Sequence, residues 1–124
     1  MPKTNIDILI VEKIGTLKLH SIKLFDQENL YKKCGFKNDN HFSLIHNWNV
    51  DFDQIKNIKL FGKTKGKSNF ENKYEFPHPV NQLIFGNSLL LGFDSKDNCI
   101  SLNIEEWESA INYINKGFDT LKDT

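Results

Sequence analysis

The chain has 124 residues, with 16 lysines, no arginine and 16 acidic residues, so its formal net charge is zero at pH 7. A chain of this length can bury a core without disulfides or metals, and the sequence predicts a single domain over residues 1–124. The charge balance excludes a global field that attracts nucleic acid or acidic membranes, so any electrostatic recognition must come from a local excess of charge.

Residues 5–24 are predicted to form a β-hairpin. Apolar residues alternate with other residues on both sides of a turn at Ile14-Gly15, which is the period-two pattern of a strand. The alternating set comprises Ile6, Ile8, Ile10, Leu17, Leu19, Ile22 and Leu24. After this hairpin, Asp26 is placed to cap a short helix, and Gly35 is placed to end it.

A second hairpin is predicted over residues 42–63. Its two strands meet at Asp53-Gln54, and the first strand alternates polar residues with an aromatic-rich face. Two further strand-like segments follow at residues 82–95 and 99–103, with a polar turn between them.

The last element is predicted to be a helix that begins at Asn103. Asn103 and Glu106 have the spacing of a capping box, and Gly117 is placed at the end of the helix. The apolar stripe of this helix consists of Ile104, Trp107, Ile111, Ile114 and Phe118. The predicted fold is α+β, with a mostly antiparallel sheet of about five to six strands, one short helix and a long C-terminal helix packed on the sheet.

The sequence contains no common catalytic or metal-binding motif. It lacks the phosphate-binding loop, the Gly-x-Ser-x-Gly elbow, His-Glu-x-x-His and Cys-x-x-Cys. Cys34, His41 and His46, with Cys99 or His78 as a fourth ligand, match the spacing of no common zinc site. The sequence therefore predicts a protein that is not an enzyme and needs no metal or cofactor. The distant cysteines and the absence of a secretory signal indicate a reducing, intracellular compartment.

The segment from residue 61 to residue 80 is the candidate binding element. Its lysines are interleaved with aromatic rings, a pattern typical of nucleic-acid binding, and two prolines stiffen its exit. The alternative is a solvated loop whose rings fold back onto the sheet. Without arginine, the protein lacks the planar fork that reads guanine. The predicted partner- or nucleic-acid-binding residues are Lys63, Lys65, Lys67, Phe70, Lys73, Tyr74, Phe76, Pro77, His78 and Pro79.

Three stretches of the sequence carry a family resemblance. In chain order they are ENLYKKCGF, then LFGKTKGKSNFENKYEFPHPV with LIFGNSLLL, and then LNIEEWESAI. Together they resemble a short protein family of nucleocytoplasmic large DNA viruses over roughly residues 28–121, and ENKYEFP is the most specific part. The abundance of Asn, Ile, Lys and Phe indicates an AT-rich genome, which suits several such viruses.

The resemblance implies a non-catalytic accessory factor of viral transcription, bound to the multisubunit RNA polymerase, with no catalytic residues to carry over. Such a protein would work in the host cytoplasm, in the viral factory, and its packaging in the virion is left open. Its partners would be polymerase subunits or other viral proteins, and a non-specific contact of the lysines with nucleic-acid backbone is left open. No membrane contact is expected. The alternative is a structural or virion-assembly module that uses the same rings as a protein interface.

Overall fold

The computed structural model describes residues 5–23 and 42–122. The predicted short helix between Asp26 and Gly35 lies outside these residues, as do Cys34 and His41. Within them the fold is α+β, with a six-stranded antiparallel sheet followed by a helix. The predicted fold class and the antiparallel sheet are confirmed. No helix in the described ranges is long and apolar enough to cross a membrane.

The strands are β1 (Asn5–Val11), β2 (Leu17–Lys23), β3 (Phe42–Phe52), β4 (Ile55–Lys63), β5 (Phe85–Phe93) and β6 (Cys99–Ile100). Their order in the sheet is β2-β1-β5-β4-β3, and β6 pairs with β5. All of these pairings are antiparallel, and both predicted hairpins, β1–β2 and β3–β4, are confirmed.

The turn between β1 and β2 depends on Gly15. Its φ of +100° lies in the left-handed region, where a side chain would be strained. The amide of Gly15 donates to the carbonyl oxygen of Glu12 at 2.8 Å, and the amide of Glu12 donates to the carbonyl oxygen of Thr16 at 2.8 Å. These bonds close the turn and place Lys13 and Ile14 at one end of the sheet.

Buried apolar side chains lie on both faces of the sheet, because successive side chains of a strand point to opposite sides. One cluster contains Leu9, Val11, Trp48, Val50, Ile55, Ile58, Leu60, Ile84, Leu90, Leu102, Trp107 and Ala110. The other contains Ile6, Ile8, Ile10, Ile22, Leu89, Leu91, Phe93 and Cys99. The central strands β1 and β5 contribute to both clusters, which explains their nearly continuous apolar runs.

The helix α1 (Ile104–Lys122) follows a reciprocal capping box. The amide of Asn103 donates to Oε1 of Glu106 at 2.9 Å, and the amide of Glu106 donates to Oδ1 of Asn103 at 2.7 Å. The predicted start is therefore confirmed. The predicted end at Gly117 is wrong, because the helix continues through this residue. An interior glycine costs only about 1 kcal/mol relative to alanine, and no proline follows to force an end.

Replacing Asn103 with alanine is expected to lower the free energy of unfolding by about 1 kcal/mol, because the amide of Glu106 loses its capping acceptor. Urea denaturation measures this loss. The matched control is Ser109→Ala, at an exposed position inside the same helix, which should leave stability within about 0.5 kcal/mol. An Asn103→Ala protein as stable as the parent would show that the cap contributes nothing.

Candidate functional site

Asn72 attaches the candidate segment to the sheet. The residue is only 8% exposed. Its Nδ2 donates to the carbonyl oxygens of Val11 at 3.1 Å and Gly86 at 2.9 Å, and its Oδ1 accepts from the amide of Tyr74 at 2.9 Å. Its own amide donates to the carbonyl oxygen of Ile84 at 2.7 Å. One buried side chain thus joins the end of β1, the start of β5 and the segment itself.

The lysine-rich part of the segment folds over Phe85, the first residue of β5. Residues 68–70 form a 3-10 turn, and the backbone then forms a single β-bridge to Phe85. Gly66 lies so close that a Cβ added there would be 2.8 Å from Cβ and Cγ of Phe85. Only glycine allows this approach. The lysines that this path leaves exposed are Lys65, Lys67 and Lys73.

Tyr74 and Phe76 pack against the core and remain partly exposed. The hydroxyl of Tyr74 accepts a hydrogen bond from Nε1 of Trp107 at 2.8 Å, and burial raises the pKa of this hydroxyl. The rings of Tyr74 and Phe76 meet edge to face at 4.9 Å between centroids, and both pack against the core. Pro77 is also buried. These three predicted binding residues therefore contribute to the packing of the segment, and their role in binding stays a prediction.

The exit of the segment is held by Trp48. Nε1 of Trp48 donates to the carbonyl oxygen of His78 at 2.9 Å, and the peptide bond between His78 and Pro79 is cis. The amide of Val80 donates to the carbonyl oxygen of Pro77 at 3.2 Å, which forms a turn at the tip. His78 and Pro79 are exposed on that turn. Of the predicted binding residues, these two lie apart from the lysine-rich part.

The turn between β1 and β2 joins the candidate site, a contribution that sequence reasoning missed. The amide of Lys13 donates to Oδ1 of Asn87 at 2.9 Å, and its carbonyl oxygen accepts from the amide of Lys73 at 2.8 Å. Its Nζ lies 4.9 Å from the ring centroid of Phe70, within the range of a cation–π contact. No local signal could have revealed this neighbour, because about sixty residues separate Lys13 from Lys73.

These residues form what we call the basic end of the sheet. The end of β1, the end of β4 and the start of β5 meet there, since neighbouring strands are antiparallel. Ile14 is 72% exposed and Phe70 is 48% exposed, so apolar surface accompanies the charge. The basic end consists of Lys13, Ile14, Lys63, Lys65, Lys67, Phe70 and Lys73.

The opposite end of the sheet is acidic. The last residues of β3 and the β3–β4 and β5–β6 turns lie there, and they carry Asp51, Asp53, Asp94 and Asp97. A hydrogen bond from Lys56 lowers the pKa of Asp51, and Nζ of Lys59 lies 3.0 Å from Oδ1 of Asp97. An open cleft of about 550 Å³ at this end is lined by Asp53, Gln54, Ile55, Ile100, Ser101 and Glu106. The carboxylate of Glu106 is already used by the helix cap.

A second open cleft, of about 400 Å³, lies between the two limbs of the segment from Glu71 to Ile84. The carboxylates of Glu71 and Glu75 line it together with uncharged side chains, and no lysine does. In residues 5–23 and 42–122, no three His, Cys, Asp or Glu side chains come together as a metal site requires. Burial raises the pKa of the Cys99 thiol to about 11, which leaves it protonated and unreactive near neutral pH.

Acidification below about pH 6.5 is expected to destabilise the protein through His46. Burial, and secondly the neighbouring His78, lower the pKa of His46 from its ordinary value of 6.5. As the pH falls through 6.5, the unfolded chain binds a proton at this site more readily than the folded chain, so stability falls. Well above pH 6.5 neither the folded nor the unfolded chain binds a proton at His46, so this loss of stability is absent. Thermal unfolding between pH 7 and pH 5 measures the effect.

The variant that tests this pH dependence is His46→Gln, on the edge strand β3. The control is His20→Gln, on the opposite edge strand β2, which shows the effect of removing any histidine. The melting temperature of the His46→Gln protein should fall less between pH 7 and pH 5 than that of the parent. Equal falls in the two proteins would contradict a role for His46.

The fold and the site define a small α+β protein whose sheet ends in a lysine-rich surface with a half-exposed ring, attached to the sheet through Asn72. Comparisons of the chain with protein-family models, with curated proteins and with solved structures found no match.

Proposed function

We propose that the protein is a non-catalytic accessory factor of viral transcription that works in the host cytoplasm and docks on the viral RNA polymerase. In this proposal the basic end faces nucleic-acid backbone. The observation that carries it is the attachment of the segment by Asn72, because its four hydrogen bonds hold the lysine-bearing segment against the end of the sheet. The resemblance of residues 71–77 to the viral family supports the transcriptional role.

The position of the lysines supports contact with backbone rather than with base edges. Lys65, Lys67 and Lys73 are exposed, and Lys13 adds a charge from the neighbouring turn. Lysine binds phosphate as a point charge and lacks the bidentate geometry of arginine. The expected binding is therefore tolerant of sequence and sensitive to salt. The predicted long C-terminal helix, packed on the sheet, remains part of the proposal. The burial of Trp107 and Ala110 supports this packing.

The salt dependence of DNA binding provides a direct test. If about four lysines neutralise phosphates of duplex DNA, the logarithm of the affinity should fall against the logarithm of the salt concentration with a slope of about −3.6. Fluorescence anisotropy with a labelled duplex measures the slope. Replacing Lys65, Lys67 and Lys73 together with glutamine should reduce it to about −0.9. The control is Lys96→Gln, at the acidic end, which should leave the slope unchanged.

A second candidate function is a structural or virion-assembly module. The observation that favours it is the exposed apolar surface of Ile14, Phe70 and Leu83 around the attachment point of the segment, since exposed apolar patches mark protein interfaces. In this reading the lysines only keep the surface soluble.

Affinity purification from infected cells separates the two candidates. The tagged protein is recovered after nuclease treatment at moderate salt, and mass spectrometry identifies what stays bound. Polymerase subunits support the accessory factor, whereas capsid or core proteins without polymerase support the assembly module. Two variants are compared in the same purification. The double variant, Ile14→Ser with Leu83→Ser, is expected to release a protein partner. The triple lysine-to-glutamine variant is expected to retain it. Release by the lysine changes alone would contradict the assembly module.

A further inference from the structure

We infer that the basic end binds single-stranded nucleic acid, with the ring of Phe70 as the stacking surface for one unpaired base and Lys13 placed to meet the adjoining phosphate. This inference rests on the proposed contact with nucleic acid. Beyond that contact, the bound nucleic acid is single-stranded, and Phe70 is the residue that distinguishes it from a duplex.

Phe70 is positioned as a stacking surface. Unlike Tyr74 and Phe76, it lies on a 3-10 turn that contains no buried residue. The turn is nevertheless fixed, since the amide of Phe70 donates to the carbonyl oxygen of Lys67 at 2.9 Å and the amide of Glu71 donates to that of Ser68 at 3.2 Å. A half-exposed ring on a fixed backbone loses little conformational freedom when a base stacks on it.

Lys13 links the ring to the charge around it. Its backbone is bonded on one side to Asn87 and on the other to Lys73, so the start of its side chain is fixed beside Phe70. Its ammonium group lies 4.9 Å from the ring centroid. Because this ammonium group lies over the ring, a base that stacks on that face takes its place, and the displaced ammonium group stays within reach of the adjoining phosphate. That combination of stacking and charge is how single strands are bound without sequence preference.

Acidic residues lie beside this site as well, since Glu12 precedes Lys13 and Glu71 follows Phe70 in the chain. Glu71 and Glu75 line the cleft between the two limbs of the segment, and none of the lysines of the basic end lines that cleft. A duplex can satisfy the lysines but offers no unpaired base to the ring. The ring therefore favours a single strand over a duplex, while the lysines attract both.

The test measures binding of labelled oligo(dT), oligo(U) and a DNA duplex by fluorescence anisotropy at low salt. The parent protein is expected to bind the single strands more tightly than the duplex. Replacing Phe70 with leucine keeps an apolar side chain but removes the aromatic face, so it should weaken single-strand binding about tenfold and leave duplex binding unchanged. Phe70→Trp should retain single-strand binding. Lys13→Gln should weaken binding of all three probes.

The outcomes separate this inference from the proposed function. If Phe70→Leu binds single strands as tightly as the parent while the lysine variants lose binding, stacking is overturned and the backbone contact stands. If the parent binds no probe at low salt, the nucleic-acid contact itself fails. Equal loss of duplex and single-strand binding in Phe70→Leu would also overturn stacking. Circular dichroism and thermal unfolding of each variant exclude misfolding. Lys96→Gln, at the opposite end of the sheet, controls for the loss of one positive charge.

Discussion

Replacing Trp107 with alanine is expected to lower the free energy of unfolding by about 3–5 kcal/mol, a large part of the total stability of a small domain. Trp107 is fully buried, and it is the largest side chain that the helix contributes to the core cluster, which also includes Ala110. Its ring centroid lies 5.3 Å from that of Trp48, and its Nε1 donates to the hydroxyl of Tyr74. Alanine would leave a cavity and remove both contacts.

Urea denaturation measures this loss, and Tyr113→Ala is the matched control because Tyr113 is an exposed aromatic residue on the same helix. The control should change stability by no more than about 0.5 kcal/mol. A loss of less than about 1 kcal/mol in Trp107→Ala would contradict its place in the core.

The hydrogen bond between Trp107 and Tyr74 can be separated from packing with a double-mutant cycle. Trp107→Phe and Tyr74→Phe each remove one partner, and their combination removes both. The coupling free energy should be about 1 kcal/mol if the bond attaches the segment to the helix. A coupling near zero would leave packing alone as the role of Trp107.

Replacing Asn72 with alanine is expected to lower the free energy of unfolding by about 2–4 kcal/mol. The change removes both donors to the carbonyl oxygens of Val11 and Gly86 and the acceptor of the Tyr74 amide. Each buried polar group left without a partner costs about 1–3 kcal/mol, and local relaxation recovers part of that. Urea denaturation measures the loss.

The same substitution should loosen the segment before the protein unfolds. Limited trypsin digestion should therefore cleave Asn72→Ala after Lys65, Lys67 or Lys73 faster than it cleaves the parent, under conditions where both are folded. Asn81→Ala, an exposed asparagine beyond the tip of the segment, is the matched control and should digest as the parent does. Unchanged digestion of Asn72→Ala would show that other contacts fix the segment.

Local patterns were enough to predict most of the regular structure. Alternating apolar residues located both hairpins, and the spacing of Asn103 and Glu106 located the start of the helix. The end of the helix was missed at Gly117, because a glycine permits an end without requiring one. A terminating residue has its effect only when the structure after it no longer favours a helix.

The candidate site was only partly predictable for a different reason. The pattern of lysines and rings located the segment but not which rings face outward. Tyr74 and Phe76 pack partly buried against the core, and the amide of Tyr74 is held by Asn72, an asparagine with no distinguishing local signal. The partnership of Lys13 with Phe70 depends on strand pairing between distant parts of the chain. Such contacts follow from topology rather than from neighbouring residues.

Within residues 5–23 and 42–122, the separation of charge between the two ends of the sheet forms an electric dipole. Five lysines lie at the basic end, and four aspartates lie at the other end together with Lys56, Lys59 and Lys96, although the whole chain has a formal charge of zero. In the field of a polyanion such a molecule experiences a torque that turns its basic end forward before any contact forms. The same dipole should let the protein adsorb weakly to both cation- and anion-exchange surfaces near its isoelectric point, in opposite orientations.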